Sequence, residues 1–276
     1  MSTFLVVGAS GMVASGVARL LETAGHHVLR GTRHEAGPGQ VHLDLVKGTG
    51  FDAALAGVEA AFAFSPPGYT NQDELLVPLW AASRRAGVRK VVMMSAMGAD
   101  ASEEAPMRKA ELALERSGLI WNVIRPNWFM QNFHTFWLHG ITARDAIQLP
   151  VGDARTSFID ARDIAAVAAV LLTTTAQENR AFDLTGSASI THAEVATILS
   201  GVLGRAIRFE DVTPEEMRPV LVAAGLPADY SEFLLMILSY QKAGYAERTT
   251  PHVQAIKGAP PRTFAQYAQD FRSAYL

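Results

Sequence analysis

The stretch Phe4-Leu5-Val6-Val7-Gly8-Ala9-Ser10-Gly11-Met12-Val13-Ala14 joins an apolar run to a glycine turn, and Val17-Ala18-Arg19-Leu20-Leu21 then reads as helix. That order of residue types suits the chemistry of holding a pyrophosphate. Gly8 permits a tight turn, and Gly11 lets the backbone approach phosphates with no Cβ in the way. Ala14 is small enough for the helix to pack on the strand, and the helix N-terminus offers free N–H groups and a partial positive charge. A dinucleotide is the expected ligand, with a purely structural turn as the plainer alternative. The end of the second strand decides which dinucleotide. A carboxylate there would bond a ribose 2′-hydroxyl, whereas an arginine would hold a 2′-phosphate. The chain has Thr32-Arg33, with Arg30 on the strand and Glu35 two residues on. NADP is therefore expected over NAD, unless Glu35 simply pairs with Arg33.

These residues need a frame of alternating strands and helices, and the pattern predicts one. His27–Thr32 reads as the second strand, Val41–Asp44 as a short third, Ala53–Leu55 as a helical turn and Ala60–Phe64 as a buried strand. Gln72–Ala86 follows as helix, Lys90–Ser95 as strand, Pro106–Arg116 as helix with proline in its first turn, and Leu119–Ile124 as strand. This βαβ repetition predicts an α/β fold with a Rossmann-type, doubly wound parallel sheet. Residues 1–185 are expected to form the dinucleotide-binding domain, with 127–156 as an excursion from it, and 186–276 a smaller α/β cap. Helices are expected over Ala193–Leu203, near Glu215–Ala224 and near Glu232–Ala243, with a strand at Ile207–Asp211.

Beyond Pro126 the chain turns aromatic and amide-rich: Asn127-Trp128-Phe129-Met130-Gln131-Asn132-Phe133, followed by Phe136, Trp137 and His139. It could plug the sheet edge or wall a substrate pocket. The pocket is the expectation, because ligands of open α/β sheets lie beyond the carboxyl ends of the strands.

Other chemistries fit poorly. Gly11 directly follows Ser10, where a nucleophile elbow needs an intervening residue. No histidine pair has metal-ligand spacing on a helix, and no Gly-Lys-Ser/Thr follows the turn. The 276 residues contain no cysteine, which removes disulfides, thiolate metal sites and thiol nucleophiles. With 49% hydrophobic and 18% charged residues, the chain can bury a full core. A formal charge of −3 without a long basic block argues against nucleic acid. The longest apolar run, Ile164–Leu172, is far short of a membrane span, and no signal peptide is expected, so the location expected is cytoplasmic.

The opening Val7–Ala14, the Ser117-Gly118-Leu119-Ile120-Trp121-Asn122-Val123-Ile124-Arg125-Pro126 segment, Trp128–Asn132 and Phe158-Ile159-Asp160-Ala161-Arg162-Asp163-Ile164-Ala165 resemble the NmrA-like atypical short-chain dehydrogenase/reductases. The likeness extends through Leu184-Thr185-Gly186 and the helix beginning near Thr191. That group includes NADPH-dependent quinone reductases, azo-dye reductases, isoflavone-reductase relatives and redox-sensing regulators without enzyme activity. The resemblance implies Gly8, Ser10, Gly11, Met12 and Val13 around the pyrophosphate, Arg33 at the 2′-phosphate, and Asp44 and Leu45 at the adenine. It implies Phe64, Ser65 and Pro66 at the ribose, and Ser95, Ala96 and Met97 near the nicotinamide, with Asn127, Trp128 and Phe129 beyond.

Two positions depart from the family pattern. The third glycine of the turn is Ala14. No tyrosine has lysine four residues later, and the lysine or histidine that atypical members place eleven residues before the helix-ending glycine is Met107, counting back from Gly118. Methionine cannot transfer a proton. Lys109 is two residues along, a rotation of about 200° round a helix, and points elsewhere. Met107 joins Ala110 and Leu114 in an apolar stripe. It is expected to shape the substrate pocket with Asn127, Trp128, Phe129, Asn132 and Phe133.

The expected function is NADPH-dependent reduction of a small aromatic or conjugated acceptor of quinone, azo, enone or imine type, since such acceptors need less general-acid help than a ketone. A nucleotide-sensing regulator acting through a protein partner is the alternative from another class. A biosynthetic enzyme of small aromatic metabolites, with Tyr69, Asn132 or His134 as proton donor, is a third.

Overall fold

The computed structural model describes residues 2–276. The chain begins β1 (Thr3–Val7), α1 (Met12–Thr23), β2 (His27–Thr32), β3 (Gln40–His42), α2 (Phe51–Leu55) and β4 (Ala60–Phe64). It continues α3 (Gln72–Arg85), β5 (Lys90–Met94), α4 (Pro106–Glu115), β6 (Ile120–Pro126), α5 (Leu138–Arg144), β7 (Ala146–Leu149) and β8 (Arg155–Thr156). Then come α6 (Ala161–Thr173), β9 (Arg180–Leu184), β10 (Ile190–Thr191), α7 (His192–Leu203) and β11 (Arg208–Asp211). The helices α8 (Pro214–Ala223), α9 (Ala228–Lys242), α10 (His252–Lys257) and α11 (Phe264–Asp270) complete it.

The chain packs as two units, one comprising the sequence up to Pro126 with Arg162–Leu184, the other Asn127–Ala161 with Thr185–Leu276. This differs from the division read from the sequence, where 127–156 was an excursion of the first domain. Segment 127–161 belongs instead with the C-terminal part, tied there by hydrogen bonds of Ser157 to the Ala246 and Arg248 carbonyls.

The first unit holds one seven-stranded sheet in the order β3-β2-β1-β4-β5-β6-β9, parallel throughout. The doubly wound α/β expectation is met. Leu5, Val7, Ala61, Ala63, Val91 and Met93 pack into one cluster with Leu75, Leu76, Leu79 and Trp80 of α3 and Ala110 and Leu114 of α4. The alternate strand residues Phe4, Val6, Phe62 and Val92 are also buried, so the sheet is covered on both faces. Helix α1 buries Val13, Val17 and Leu21, spaced four apart, with Ala14 and Ala18 beside them. A Cβ on its Gly16 would lie 2.9 Å from the Ala165 Cβ, so the glycine lets α1 and α6 approach closely. Because β1 continues to β2 on one side while β4 joins on the other, the strand order reverses between β1 and β4. The ligand crevice of such a sheet opens at that point.

The second unit has two small sheets, a parallel β7–β11 pair and an antiparallel β8–β10 pair. Its core is built from Met130, Phe133, Phe158, Val195, Leu199, Leu235, Phe264 and Tyr267. Among the described residues no helix is long and apolar enough to cross a membrane, and no group of three histidine, aspartate or glutamate side chains could hold a metal ion.

Candidate functional site

At the reversal point, Gly8 has φ +62°, a left-handed turn that a side chain would strain. The Gly8 and Ala9 N–H groups donate to the Gly31 carbonyl at 3.1 and 3.4 Å, and Gly11 N–H donates to the Gly8 carbonyl at 2.8 Å. Those bonds anchor the turn on β2. A Cβ at Gly8 would fall 3.0 Å from the Phe64 ring, and one at Gly11 would fall 3.1 Å from the Gly8 carbonyl oxygen. A side chain at either position would be crowded. Helix α1 has no side-chain cap and no acidic residue in its first turn, and its first internal bond is Ser15 N–H to the Gly11 carbonyl. The Met12, Val13 and Ala14 N–H groups are thus without intrahelical partners, at the positive end of a twelve-residue helix. Ser10 and Met12 are exposed, whereas the Val13 side chain is in the core and offers only its backbone. The arrangement fits a pyrophosphate.

Two arginines lie near the end of β2, Arg33 being the one expected to hold a phosphate, and the structure separates them. Arg30 is bound to Glu22 of α1 through two nitrogens, at 2.8 to 3.2 Å. Arg33 is exposed and pairs with no carboxylate among the described residues, Glu35 included. Asp44 is turned inward: its Oδ1 accepts the Val46 and Lys47 N–H groups at 2.9 and 3.1 Å, and Leu45 is buried in the sheet's core. The Asp44 side chain holds the loop.

The ends of β4 and β5 complete this side. Phe64, Ser65 and Pro66 are half-buried, with the Phe64 ring against the glycine turn. Ser95 N–H and Met97 N–H bond the Ile124 and Pro126 carbonyls at 2.8 and 3.0 Å, fixing the Ser95–Met97 backbone to β6. The Ser95 hydroxyl is buried and makes no hydrogen bond of good geometry. It stands near Glu111, close enough to favour the ionised carboxylate.

Met107 is half-buried and packs on the sheet's core, as its place in the apolar stripe implied. One turn on, at the same face, Glu111 is fully buried. Arg125 holds its two oxygens at 2.9 and 2.6 Å, Arg108 adds a bond at 2.8 Å, and Arg125 also reaches Asp100 at 2.6 Å. Burial alone would push the Glu111 carboxyl up. The guanidinium of Arg125, with help from Ser95 and Arg108, holds it below the usual carboxylate range. Sequence reading missed this cluster, although an arginine inside an apolar strand and a glutamate four residues after Met107 were available signals. Lys109 points into solvent and pairs with Glu104 at 3.0 Å. Tyr69 is half-buried with its ring on the core.

In the second unit, the aromatic segment divides by role. The Asn127 side chain donates to Ser157 Oγ and the Ala246 carbonyl, both at 2.8 Å, and accepts from the Trp128 N–H at 2.9 Å. It is a structural tie within the second unit. Phe133 is fully buried, its ring packed edge-on against Trp137, Phe158 and Phe264, so it belongs to the core instead of a pocket wall. Phe136, which follows the segment, is 72% exposed. Trp128 and Phe129 are half-buried, and the half-buried Asn132 amide has no hydrogen-bond partner among the described residues. These three remain available to a ligand.

His134 serves a different purpose from the proton donor considered for it. Its Nδ1 lies 2.7 Å from the Tyr267 hydroxyl, which lies 2.9 Å from that of Tyr275, and its ring stacks on Tyr267 and Phe271. Burial pushes its pKa down, so the imidazole is neutral near pH 7, while burial pushes Tyr267 up and Tyr275 up to about 12. The trio is an interior hydrogen-bonded chain.

A family model described as the NmrA-like family matches residues 1–267. A (4-alkanoyl-5-oxo-2,5-dihydrofuran-3-yl)methyl phosphate reductase of Streptomyces griseus is 33% identical over 285 residues, covering 98% of each chain. An NAD(P)H azoreductase of Xenophilus azovorans is 30% identical over 285 residues, again covering 98% of each. Among solved structures, the triphenylmethane reductase of Citrobacter sp. complexed with NADP(H) superposes with TM-score 0.84 at 23% identity, covering 98% of this chain and 99% of that one.

Proposed function

The chain belongs to the NmrA-like family, and we propose that its glycine-turn cleft binds NADPH and reduces a small aromatic or conjugated acceptor. It is an oxidoreductase, as are the azoreductase and the furan phosphate reductase it resembles. One observation carries the reading: an uncapped α1 N-terminus at the strand-order reversal, preceded by a left-handed Gly8 and by Gly11, where side chains would be crowded.

Bound NADPH supplies the hydride. The Met12–Ala14 N–H groups hold the pyrophosphate, and Arg33, free of Glu35, selects the 2′-phosphate. Ser95–Met97, fixed on β6, form a rigid floor at the nicotinamide end. Met107 fills space there without moving a proton. Trp128, Phe129 and Asn132 are the residues proposed to touch the acceptor, the rings by stacking and the amide by a directed hydrogen bond.

The test is to mix the protein and NADPH with quinones, azo dyes, enones and iminium salts while following the loss of reduced-nicotinamide absorbance, with cofactor affinity measured in parallel. Turnover with at least one class is expected. Tight NADPH binding with no turnover of any would replace the reductase with a nucleotide sensor, the reading that the loss of a proton-transferring residue at Met107 would then favour.

A further inference from the structure

We infer that Met12 is an oxidation site through which peroxide controls cofactor binding; this rests on the reading of the glycine-turn cleft as an NADPH site. Met12 is the first residue of α1, directly after Gly11, and its N–H is without an intrahelical partner, as are those of Val13 and Ala14. The Cα–Cβ bonds of a helix tilt toward its N-terminus, so a side chain at the first position extends past the helix start, beside the anion site. Met12 is 43% exposed there. Its carbonyl accepts from the Ser15 hydroxyl at 3.1 Å, which holds the backbone in the helix while the thioether stays accessible.

Sulfur chemistry in this chain falls to methionine, because its 276 residues include no cysteine. Met93, Met130 and Met217 are buried, and Met94, Met97 and Met107 are half-buried. Among the described residues the exposed methionines are Met12, at 43%, and Met236, at 42%. The two are equal in access and differ in place: Met236 lies within α9 of the second unit, Met12 in the phosphate turn of the first.

The oxidant is hydrogen peroxide. A sulfur lone pair attacks one peroxide oxygen, the S–O bond forms and the O–O bond breaks, and the departing hydroxide takes the proton of the transferred oxygen and leaves as water. Sulfur loses two electrons and peroxide gains them. The product, methionine sulfoxide, is polar where the thioether was apolar, and its oxygen accepts hydrogen bonds without donating any. Pyrophosphate oxygens are acceptors as well. At Met12 the sulfoxide therefore competes for the N–H groups at the start of α1 and sets the negative end of its S–O dipole against the anion. The thioether does neither. A dinucleotide seated on the turn covers the sulfur in its turn, so the cofactor-free protein is the form that peroxide modifies, and methionine sulfoxide reductases can restore it.

The test treats the intact protein with graded hydrogen peroxide, with and without oxidised NADP, and follows each methionine by peptide mass spectrometry and NADPH affinity by fluorescence titration. Met12 sulfoxide is expected to form in the free protein and several-fold more slowly with NADP bound, while Met236 oxidises at the same rate in both. Oxidation of Met12 should weaken NADPH binding by about fivefold, the scale of one unfavourable contact between a dipole and an anion at a helix N-terminus, and treatment with methionine sulfoxide reductase should reverse it. Met12→Leu and Met236→Leu are each compared with themselves before and after peroxide, so a changed starting affinity does not enter: the first should lose the sensitivity and the second keep it. Unchanged affinity once Met12 is oxidised, a loss that persists in Met12→Leu, or a Met12 that resists peroxide while Met236 reacts would overturn the oxidation site and leave the NADPH reading standing. No binding of NADPH to the untreated protein would overturn both.

Discussion

Replacing His192 should remove a defined part of the protein's acid sensitivity. His192 is the first residue of α7, following the cap Thr191, whose Oγ1 accepts the Glu194 N–H at 3.1 Å. The side chain is fully buried among the rings of Phe133, Trp137, Phe158 and Phe209, and neither ring nitrogen has a hydrogen-bond partner among the described residues. An imidazolium there would be desolvated, and it would also sit at the positive end of a helix. Burial lowers the pKa from 6.5 to about 4. The folded state therefore binds no proton here until well below the pH at which the unfolded chain binds one. Stability from this group is full above about pH 6.5, is lost as pH falls through the window to 4, and levels off below it. The gap corresponds to about 3 kcal/mol in all, and to about 2 kcal/mol between pH 7.5 and pH 5. Urea unfolding of the parent and of His192→Phe, each at both pH values, isolates the effect. At pH 7.5 the variant differs from the parent by a packing offset, less the relief of two unsatisfied polar atoms. At pH 5 the variant should gain about 2 kcal/mol relative to that offset. His192→Leu, with a different packing offset, should show the same change. Variant-to-parent differences that match within about 0.5 kcal/mol at the two pH values would mean that His192 is not protonated preferentially on unfolding.

Gly186→Ala would place a Cβ 2.1 Å from the Phe158 carbonyl oxygen; backbone must move, and a loss of about 3 kcal/mol or more is expected, read by urea unfolding and refuted by stability within about 0.5 kcal/mol of the parent. Arg33→Ala should reduce the preference for NADPH over NADH by roughly tenfold or more, the worth of one charge-assisted contact, with NADH affinity unchanged; calorimetric titration showing equal affinities in the parent would sink the 2′-phosphate assignment. Met107→Leu conserves volume and should keep turnover within a few-fold, whereas a hundredfold loss, about 3 kcal/mol of barrier, with folding and NADPH affinity intact would show that the sulfur side chain takes part in the chemistry.

The first half of the chain was legible because its signals are local. The apolar run Ala60–Phe64 is a buried strand and His27–Thr32 a partly buried one, both with ends that coincide with the sequence reading, and the glycine turn announces its own geometry. The second unit was less so. Ala146–Leu149 carries no strand signal of its own and becomes one by pairing with Arg208–Asp211, sixty residues away in sequence, in a small sheet separate from the main one. The short helices α10 and α11 were likewise unread, their burial depending on neighbours the sequence does not name.

By itself, then, the sequence determined a parallel dinucleotide-binding sheet, the phosphate-cradling turn and the absence of a proton carrier at Met107, because each depends on residues close together along the chain. Only the tertiary structure decided that Arg30 is occupied by Glu22 while Arg33 meets no carboxylate among the described residues, that Asn127 ties to Ala246 and Phe133 fills the core, and that Glu111 is sealed by Arg125. Those outcomes turn on which donor meets which acceptor once distant segments fold together, and on what each burial excludes from water; residue type and spacing carry neither.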